Sequence, residues 1–284
     1  CMKKKITISK PKPFIAYDFE TTRIKAGTPV PLYLTAHGET FRMSIPITGK
    51  DKYKTLCNIL ETHFLIPELN NYRFVAWNGN NFDSFFIARA LLESDNWIIK
   101  PYLTRTKSLR GMCVMEKEKP PKGQKRLKFE FLDGLSMTGL TGSNIAKLSK
   151  FLEVFAPEYG KLTGNIDFDK EEFNHKNPLH VAYAERDSEG LYHGLIEANR
   201  IVKELSGNEL QPTIGNLAIK YFQSRIPDGV ECWKSPEGLR DVLYAQLKRG
   251  GYCWAQKQYH GPVWKYDLNQ AYAAAMRDAA LPQG

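Results

Sequence analysis

Three groups of side chains in this sequence could carry acid–base or metal chemistry. Asp18 and Glu20 stand two residues apart in Phe14-Ile-Ala-Tyr-Asp-Phe-Glu20. On a strand, residues two apart leave the same face of the sheet, so the two carboxylates would emerge together. Hard oxygen donors in that arrangement suit Mg²⁺ or Mn²⁺. Taken alone, the pair also fits a solvated strand end. Asp83 follows the turn-forming Asn78-Gly-Asn-Asn81 and opens a helical stretch, where the helix dipole favours negative charge. Taken alone, it reads as a helix cap, because Asn80, Asn81 and Asp83 are all capping types. Tyr183 and Asp187 are four apart in a helical stretch and share one face. Beside Glu185 and Arg186 they would equally suit a charged surface turn.

The elements that must position these groups follow from hydrophobic spacing. Phe14–Phe19 is a short aromatic-rich strand after Pro11 and Pro13. Residues 30–36 and 40–47 form two more strands around a turn at His37-Gly38-Glu39. Lys52 to His63 has helical spacing, with Tyr53, Leu56, Ile59, Leu60 and Phe64 on one side. A strand over 73–77 and a helix over 82–92 flank the asparagine-rich turn. Residues 111–117 and 126–132 predict a β-ribbon with a basic tip at Lys119–Gln124, and helices follow over 142–154 and 178–205. Strands interleaved with helices across 1–205 predict an α/β domain with a mixed sheet. Residues 206–284 read as a second region, with helices over 213–224 and 236–248, a strand over 258–267 and a helix over 272–280.

The chain has 284 residues, of which 42% are hydrophobic and 25% charged, the composition of a folded globular protein. Its formal charge is +9. Residues 100–130 hold ten Lys and Arg against three Glu, so seven of the nine net charges lie there. A concentrated basic block points to a polyanion such as nucleic acid. Within it, Arg126 and Lys128 would share one strand face while Leu127 and Phe129 turn to the core. No apolar run approaches the roughly 18 residues of a membrane span. Five cysteines without a CxxC pair argue against a disulfide framework and against a zinc site, and for a cytoplasmic-type compartment.

In chain order the motifs read Asp18-Phe-Glu20, Asn78-x₃-Phe82-Asp83 and Tyr183-x₃-Asp187. The set resembles the three exonuclease motifs of the DEDDy 3′–5′ exonucleases, which have a ribonuclease-H-like fold. The resemblance implies two Mg²⁺ or Mn²⁺ ions held by Asp18, Glu20 and Asp187, with Asp18 bridging and Asp83 acting from the outer shell. Tyr183, of a residue type with pKa near ~10, is a poor base at neutral pH and would orient the attacking water. Thr21, Asn78, Phe82, Leu135 and Lys161 would contact the single-stranded DNA end. Leu135 follows Gly134, where the family has Ser.

Two later segments narrow the resemblance to the protein-primed family B DNA polymerases of phages and linear plasmids. Lys248-Arg249-Gly250-Gly251-Tyr252 is similar to their Tyr-x-Gly-Gly loop, which touches template DNA, and paired glycines permit close approach to phosphate. Tyr266-Asp267-Leu-Asn-Gln-Ala-Tyr272 is similar to polymerase motif A, which implies Asp267 as a metal ligand and Tyr272 under the incoming nucleotide. Sequences like polymerase motifs B and C do not occur, so no complete polymerase site is expected. The expectation is therefore an exonuclease domain over 1–205 and the start of a polymerase palm over 206–284. It would act as a cytoplasmic monomer on single-stranded and primer–template DNA, with a terminal protein as a partner of the parent enzyme. Two alternatives stay open: a stand-alone DEDDy exonuclease acting on RNA, and a non-catalytic single-stranded DNA-binding module.

Overall fold

Strand β1 (Phe14–Thr21) is the central organiser, because its alternation feeds two cores at once. Ile15, Tyr17 and Phe19 enter one apolar cluster, whereas Phe14 and Ala16 enter another on the opposite face of the sheet. A computed structural model describes residues 12–23, 28–103, 108–121, 123–140, 146–162 and 171–225. All of them fall in one compact unit, Cys1–Arg225. The elements expected over 236–248, 258–267 and 272–280 lie outside the described residues.

The strands β2 (Pro31–Gly38), β3 (Arg42–Pro46), β4 (Arg73–Ala76), β5 (Trp97–Leu103), β6 (Leu109–Glu116) and β7 (Lys128–Asp133) join β1 in a seven-stranded sheet ordered β3-β2-β1-β4-β7-β6-β5. β1 runs antiparallel to β2 and parallel to β4, and β4 runs parallel to β7. The sheet is therefore mixed, and helices flank it, as the interleaved pattern requires. Helices α1 (Lys52–His63) and α2 (Asp83–Leu92) cover one face through Leu56, Leu60, Phe86 and Ile87. The other face is covered by α4 (Leu148–Phe155) and α5 (Pro178–Ser206), through Phe151, Leu152, Leu191 and Leu195. The short α3 (Gly134–Thr138) follows β7, and α6 (Ile214–Arg225) comes last among the described elements.

Most expected elements form within a residue or two of their predicted bounds. Strand β5 was not expected. Its sequence, Trp97-Ile-Ile-Lys-Pro-Tyr-Leu103, contains a proline that cannot donate to a ladder. The strand occupies the sheet edge, where one side of its backbone needs no partner, and Pro101 sits opposite Met112. The helix expected over 142–154 is α4, beginning at Leu148, and 141–145 lie outside the described residues. The ribbon is formed by β6 and β7, with Met115 opposite Lys128. Its second strand begins at Lys128, so Arg126 precedes the ladder and does not share its face.

The 29-residue α5 begins at Asn177, whose side chain accepts from the Leu179 N–H, and ends at Gly207 in a left-handed conformation with φ 69°. Both ends are stereotyped: a capping Asn before Pro178, and a glycine after the last turn. Between them α5 presses on α4 at two glycines. A Cβ on Gly194 would lie 2.4 Å from Phe151 Cε1, and one on Gly190 would lie 2.8 Å from the Tyr159 carbonyl oxygen. Those are distances that side chains cannot occupy, so the backbone approach depends on glycine. Gly194→Ala should therefore cost about 1–3 kcal/mol through overpacking. Urea denaturation measures this directly, and a loss below about 0.5 kcal/mol, the range of a neutral surface change, would show that the helices do not approach so closely.

Candidate active site

The alternation that buries Tyr17 and Phe19 against α1 and α2 turns Asp18 and Glu20 towards α5. Asp18 pairs with Thr35 of β2. The Thr35 hydroxyl donates to the Ala184 carbonyl at 3.1 Å and docks the first half of α5 over β1 and β2. Tyr183 and Asp187 are consequently carried to the same place, and Asp187 is 95% buried.

Asp83 arrives from the other side of the sheet. Asn78 makes the turn out of β4 with φ 59° and ψ 24°, a left-handed conformation that asparagine tolerates well. Its Oδ1 accepts from Asn81 Nδ2 at 2.7 Å. Asp83 is the first residue of α2 and is almost fully buried. The helix-cap reading does not hold: Phe82 occupies the cap position, and no side chain caps this helix. The carboxylate instead lies near enough to the Phe19 backbone N–H for that group to draw its pKa down, which places it beside the strand between Asp18 and Glu20.

Four acids from three elements thus act on one another. Burial and then the charges of Asp83, Glu20 and Asp187 push the Asp18 pKa well above the usual carboxylate range. Burial, then Asp187, raises Glu20 to about 7. Asp83 is likewise pushed up to about 7 by burial, against the pull of its backbone hydrogen bonds. Asp187 is raised by burial, while Lys161 draws it back. Lys161 places its Nζ 2.6 Å from Asp187 Oδ2 and donates to the Tyr183 hydroxyl at 3.3 Å. Burial disfavours the Lys161 ammonium, but the charge and hydrogen bond of Asp187 outweigh it and hold the pKa above that of an ordinary lysine. Burial, reinforced by Asp187, raises the Tyr183 phenol, so it stays protonated and can donate.

The donor set fits divalent cations. Asp83 Oδ1 and Asp187 Oδ1 are buried without a protein partner. With Asp18 and Glu20 within electrostatic reach and the single Lys161 ammonium against four acids, an oxygen-donor group in negative excess results, and that donor chemistry matches Mg²⁺ or Mn²⁺. Repulsion would then become attraction.

The remaining expected residues scatter more widely. The Thr21 hydroxyl donates to the Thr22 carbonyl at the end of β1. Phe82 packs edge-on against Phe86 and belongs largely to the core. Leu135 lines a separate cavity of about 650 Å³ with Asn80, Arg110, Asp133 and Ser136. Arg126 is committed locally, its Nε and Nη2 donating to the carbonyls of Glu116 and Lys117. Lys128 is exposed on the ribbon, while Phe129 is fully buried and Leu127 packs on the core, as alternation predicts. Lys161 stands against Asp187 at the edge of the carboxylate group. Asp267, Arg249, Gly250, Gly251 and Tyr272 lie outside the described residues.

One buried acid near the site was not singled out from sequence. Asp133, at the end of β7, accepts from the Ser136 hydroxyl at 2.7 Å and from Asn80 Nδ2 at 3.2 Å. Burial raises its pKa, and its charge in turn raises Asp83. A detectable signal existed, because Asp followed three residues later by Ser suits a helix cap.

No protein-family model and no curated protein matches the chain. Among solved structures, the chain is similar to the EXO domain of Nibbler from Aedes aegypti, with 11% identity and a TM-score of 0.35, over 73% of this chain and 85% of that one. At that level the likeness carries no information about substrate or chemistry. Among the described residues no helix is long and apolar enough to cross a membrane.

The raised acids make stability depend on pH. A group whose folded pKa exceeds its unfolded value near ~4 stabilises the fold while protonated, and that contribution is lost as pH rises. Glu20 and Asp83, both at about 7, set the window. Without divalent cations, the melting temperature should fall between about pH 4 and pH 7. The fall should flatten in Asp18→Asn/Glu20→Gln, which removes two of the repelling charges. Calorimetry in chelator-treated buffer checks this, and identical pH profiles for parent and variant would refute the electrostatic account.

Proposed function

We propose that this chain is a metal-dependent 3′–5′ exonuclease acting on single-stranded nucleic acid ends. The observation that carries the reading is the convergence of Asp18, Glu20, Asp83 and Asp187 from a strand, a strand-to-helix turn and a long helix, each within electrostatic reach of Asp18. The strand order β3-β2-β1-β4-β7, with β2 antiparallel and β4 and β7 parallel to the centre, supports the ribonuclease-H-like fold that the motifs imply.

Asp18, Glu20 and Asp187 would hold two divalent ions, with Asp83 supporting them from its buried position. Such ions supply an activated water at neutral pH and neutralise charge on the departing 3′ oxygen. The protein's own groups do the positioning. The Tyr183 hydroxyl, kept protonated, donates a hydrogen bond that orients the attacking water. The Lys161 ammonium, already at the edge of the acids, can pair with the substrate phosphate. Tyr17 and Phe19 keep β1 anchored, so the acids cannot spread apart to relieve their repulsion.

The finer reading is proofreading of DNA within a protein-primed family B polymerase. It is supported by Lys248–Tyr252 and Tyr266–Tyr272 in the sequence, where Arg249, Gly250, Gly251, Asp267 and Tyr272 match the family's positions. On this reading DNA is degraded in preference to a matched RNA, and the reverse preference would favour a stand-alone ribonuclease.

Asp18→Ala/Glu20→Ala should abolish Mg²⁺-dependent shortening of 5′-labelled single-stranded DNA while the protein stays folded. Tyr183→Phe should slow single-turnover cleavage by roughly 10²-fold, the low end for a group that handles or orients a proton. Full activity of the double variant would end the assignment, and an unchanged Tyr183→Phe rate would reduce Tyr183 to packing.

The ribbon gives a separate test of nucleic-acid contact. Lys128 is exposed, whereas Arg126 is occupied by backbone carbonyls. Lys128→Gln should make the slope of log K against log salt for single-stranded DNA shallower by about 0.7, the value of one phosphate contact. Titrations at several salt concentrations measure it, and an unaltered slope would leave the ribbon as a solvated surface.

A further inference from the structure

Along α5 the row after Asp187 carries a second group of possible ligands. Glu189 and His193 are four apart and so share a helix face. Opposite them, alternation in β2 sends Leu34 and Ala36 into the core under α1, and turns Thr35 and His37 towards α5. His37 is buried, and its ring centroid lies 5.2 Å from Tyr192 and 5.6 Å from His193. His193 stacks on Tyr159 at 3.9 Å with an interplanar angle of 10°, which restrains its ring. One ligand atom from each of His37, Glu189 and His193 lies within 4.8 Å of the other two.

We propose that His37, Glu189 and His193 form a three-ligand site for a transition-metal dication of the Zn²⁺ class, distinct from the carboxylate site. Two imidazoles with one carboxylate suit zinc, cobalt or nickel, and not the oxygen-preferring Mg²⁺ of the acids around Asp18. Three protein ligands leave a fourth position open. Beside them is a cavity of about 440 Å³, lined also by Arg42, Ser44, Glu185 and Ser188, that can supply water or a small anion. Burial, followed by the Arg42 charge for His37, lowers both imidazole pKa values and favours the neutral form that ligates. The competing interactions are an Arg186 contact to Glu189 at 3.4 Å and the Arg42 charge itself. The first is an ion pair less than a third exposed, from which the metal would have to draw one Glu189 oxygen, and the second is opposed at His37 by the Glu189 charge. The proposal departs from the expectation of no zinc site, which rested on the cysteines alone and did not weigh two histidines and a glutamate brought together by packing. Bound metal would pin β2 to α5, the helix that carries Tyr183 and Asp187.

The test uses the full chain with Asp18→Asn/Glu20→Gln, so that the acids do not compete for metal. Competition of Zn²⁺ against a chromophoric chelator should show tight binding of about one ion per chain. X-ray absorption at the zinc edge should show nitrogen and oxygen ligands at ~2.0–2.2 Å and no sulfur. His193→Phe keeps an aromatic ring against Tyr159 and removes a ligand, and Glu189→Gln keeps the shape and removes a charge. Each should weaken binding by at least about tenfold, the scale of losses at metal sites, in protein whose circular dichroism is unchanged. Zinc affinity equal to the parent's in both folded variants, a sulfur shell, or no binding above that of chelator alone would each overturn the proposal.

Discussion

Mutual repulsion among Asp18, Glu20, Asp83 and Asp187 is the constraint to which the rest of the structure answers. Four acids brought together away from water would separate or protonate unless the surrounding fold held them. Each is fixed from behind: Asp18 and Glu20 by the two cores that grip β1, Asp83 by its buried place at the start of α2, and Asp187 by the packing of α5, with Lys161 as its ion-pair partner. Within this group Lys161 is the local counter-charge. It satisfies one oxygen of Asp187 and leaves the other without a protein partner. That combination of rigidity and unmet charge is what an exchangeable dication requires.

Rigidity reaches the site through α5. Glycines at 190 and 194 let this helix settle closely on the Leu152 and Phe151 side chains of α4 and on the Tyr159 carbonyl, and Thr35 ties its other side to β2. Asp187 lies between these fixed points, so its position is set by packing along the whole helix and not by its own hydrogen bonds. The histidines and glutamate farther along belong to the same seam between β2 and α5. A ligand joining them would act on the one interface whose slippage would move Asp187 relative to Asp18.

The basic block is less uniform in three dimensions than along the chain. Lys117 meets Asp95 at 3.6 Å, Glu130 is paired with Lys12 at 2.9 Å, and Arg126 closes the open end of the ribbon through two carbonyls. Some of the charge therefore does structural work. Lys128, at the start of β7, remains exposed with the hydrophobic side of its strand facing inwards, so an attraction to phosphate would fall on a narrow edge.

How much was legible beforehand follows from which forces act locally. The strand and helix periods of β1, α1 and α5, the caps of α5 and the two-residue spacing of Asp18 and Glu20 are all properties of short segments. The sequence alone therefore determined an α/β domain with a mixed sheet, and the facing of those two acids. It could not show β5, because Pro101 is acceptable only at an edge, and being an edge is a property of the assembled sheet. Nor could it separate Arg126 from Lys128, since the carbonyls that occupy Arg126 come from the facing strand. Asp83 looked like a helix cap because its local neighbours are cap formers, and only the parallel pairing of β4 with β1 brings its charge to bear on Asp18. The ion pair of Lys161 with Asp187, 26 residues away, and the meeting of His37 with His193 arise the same way. They depend on which faces of distant elements pack together, and that choice is made by the burial of the whole core.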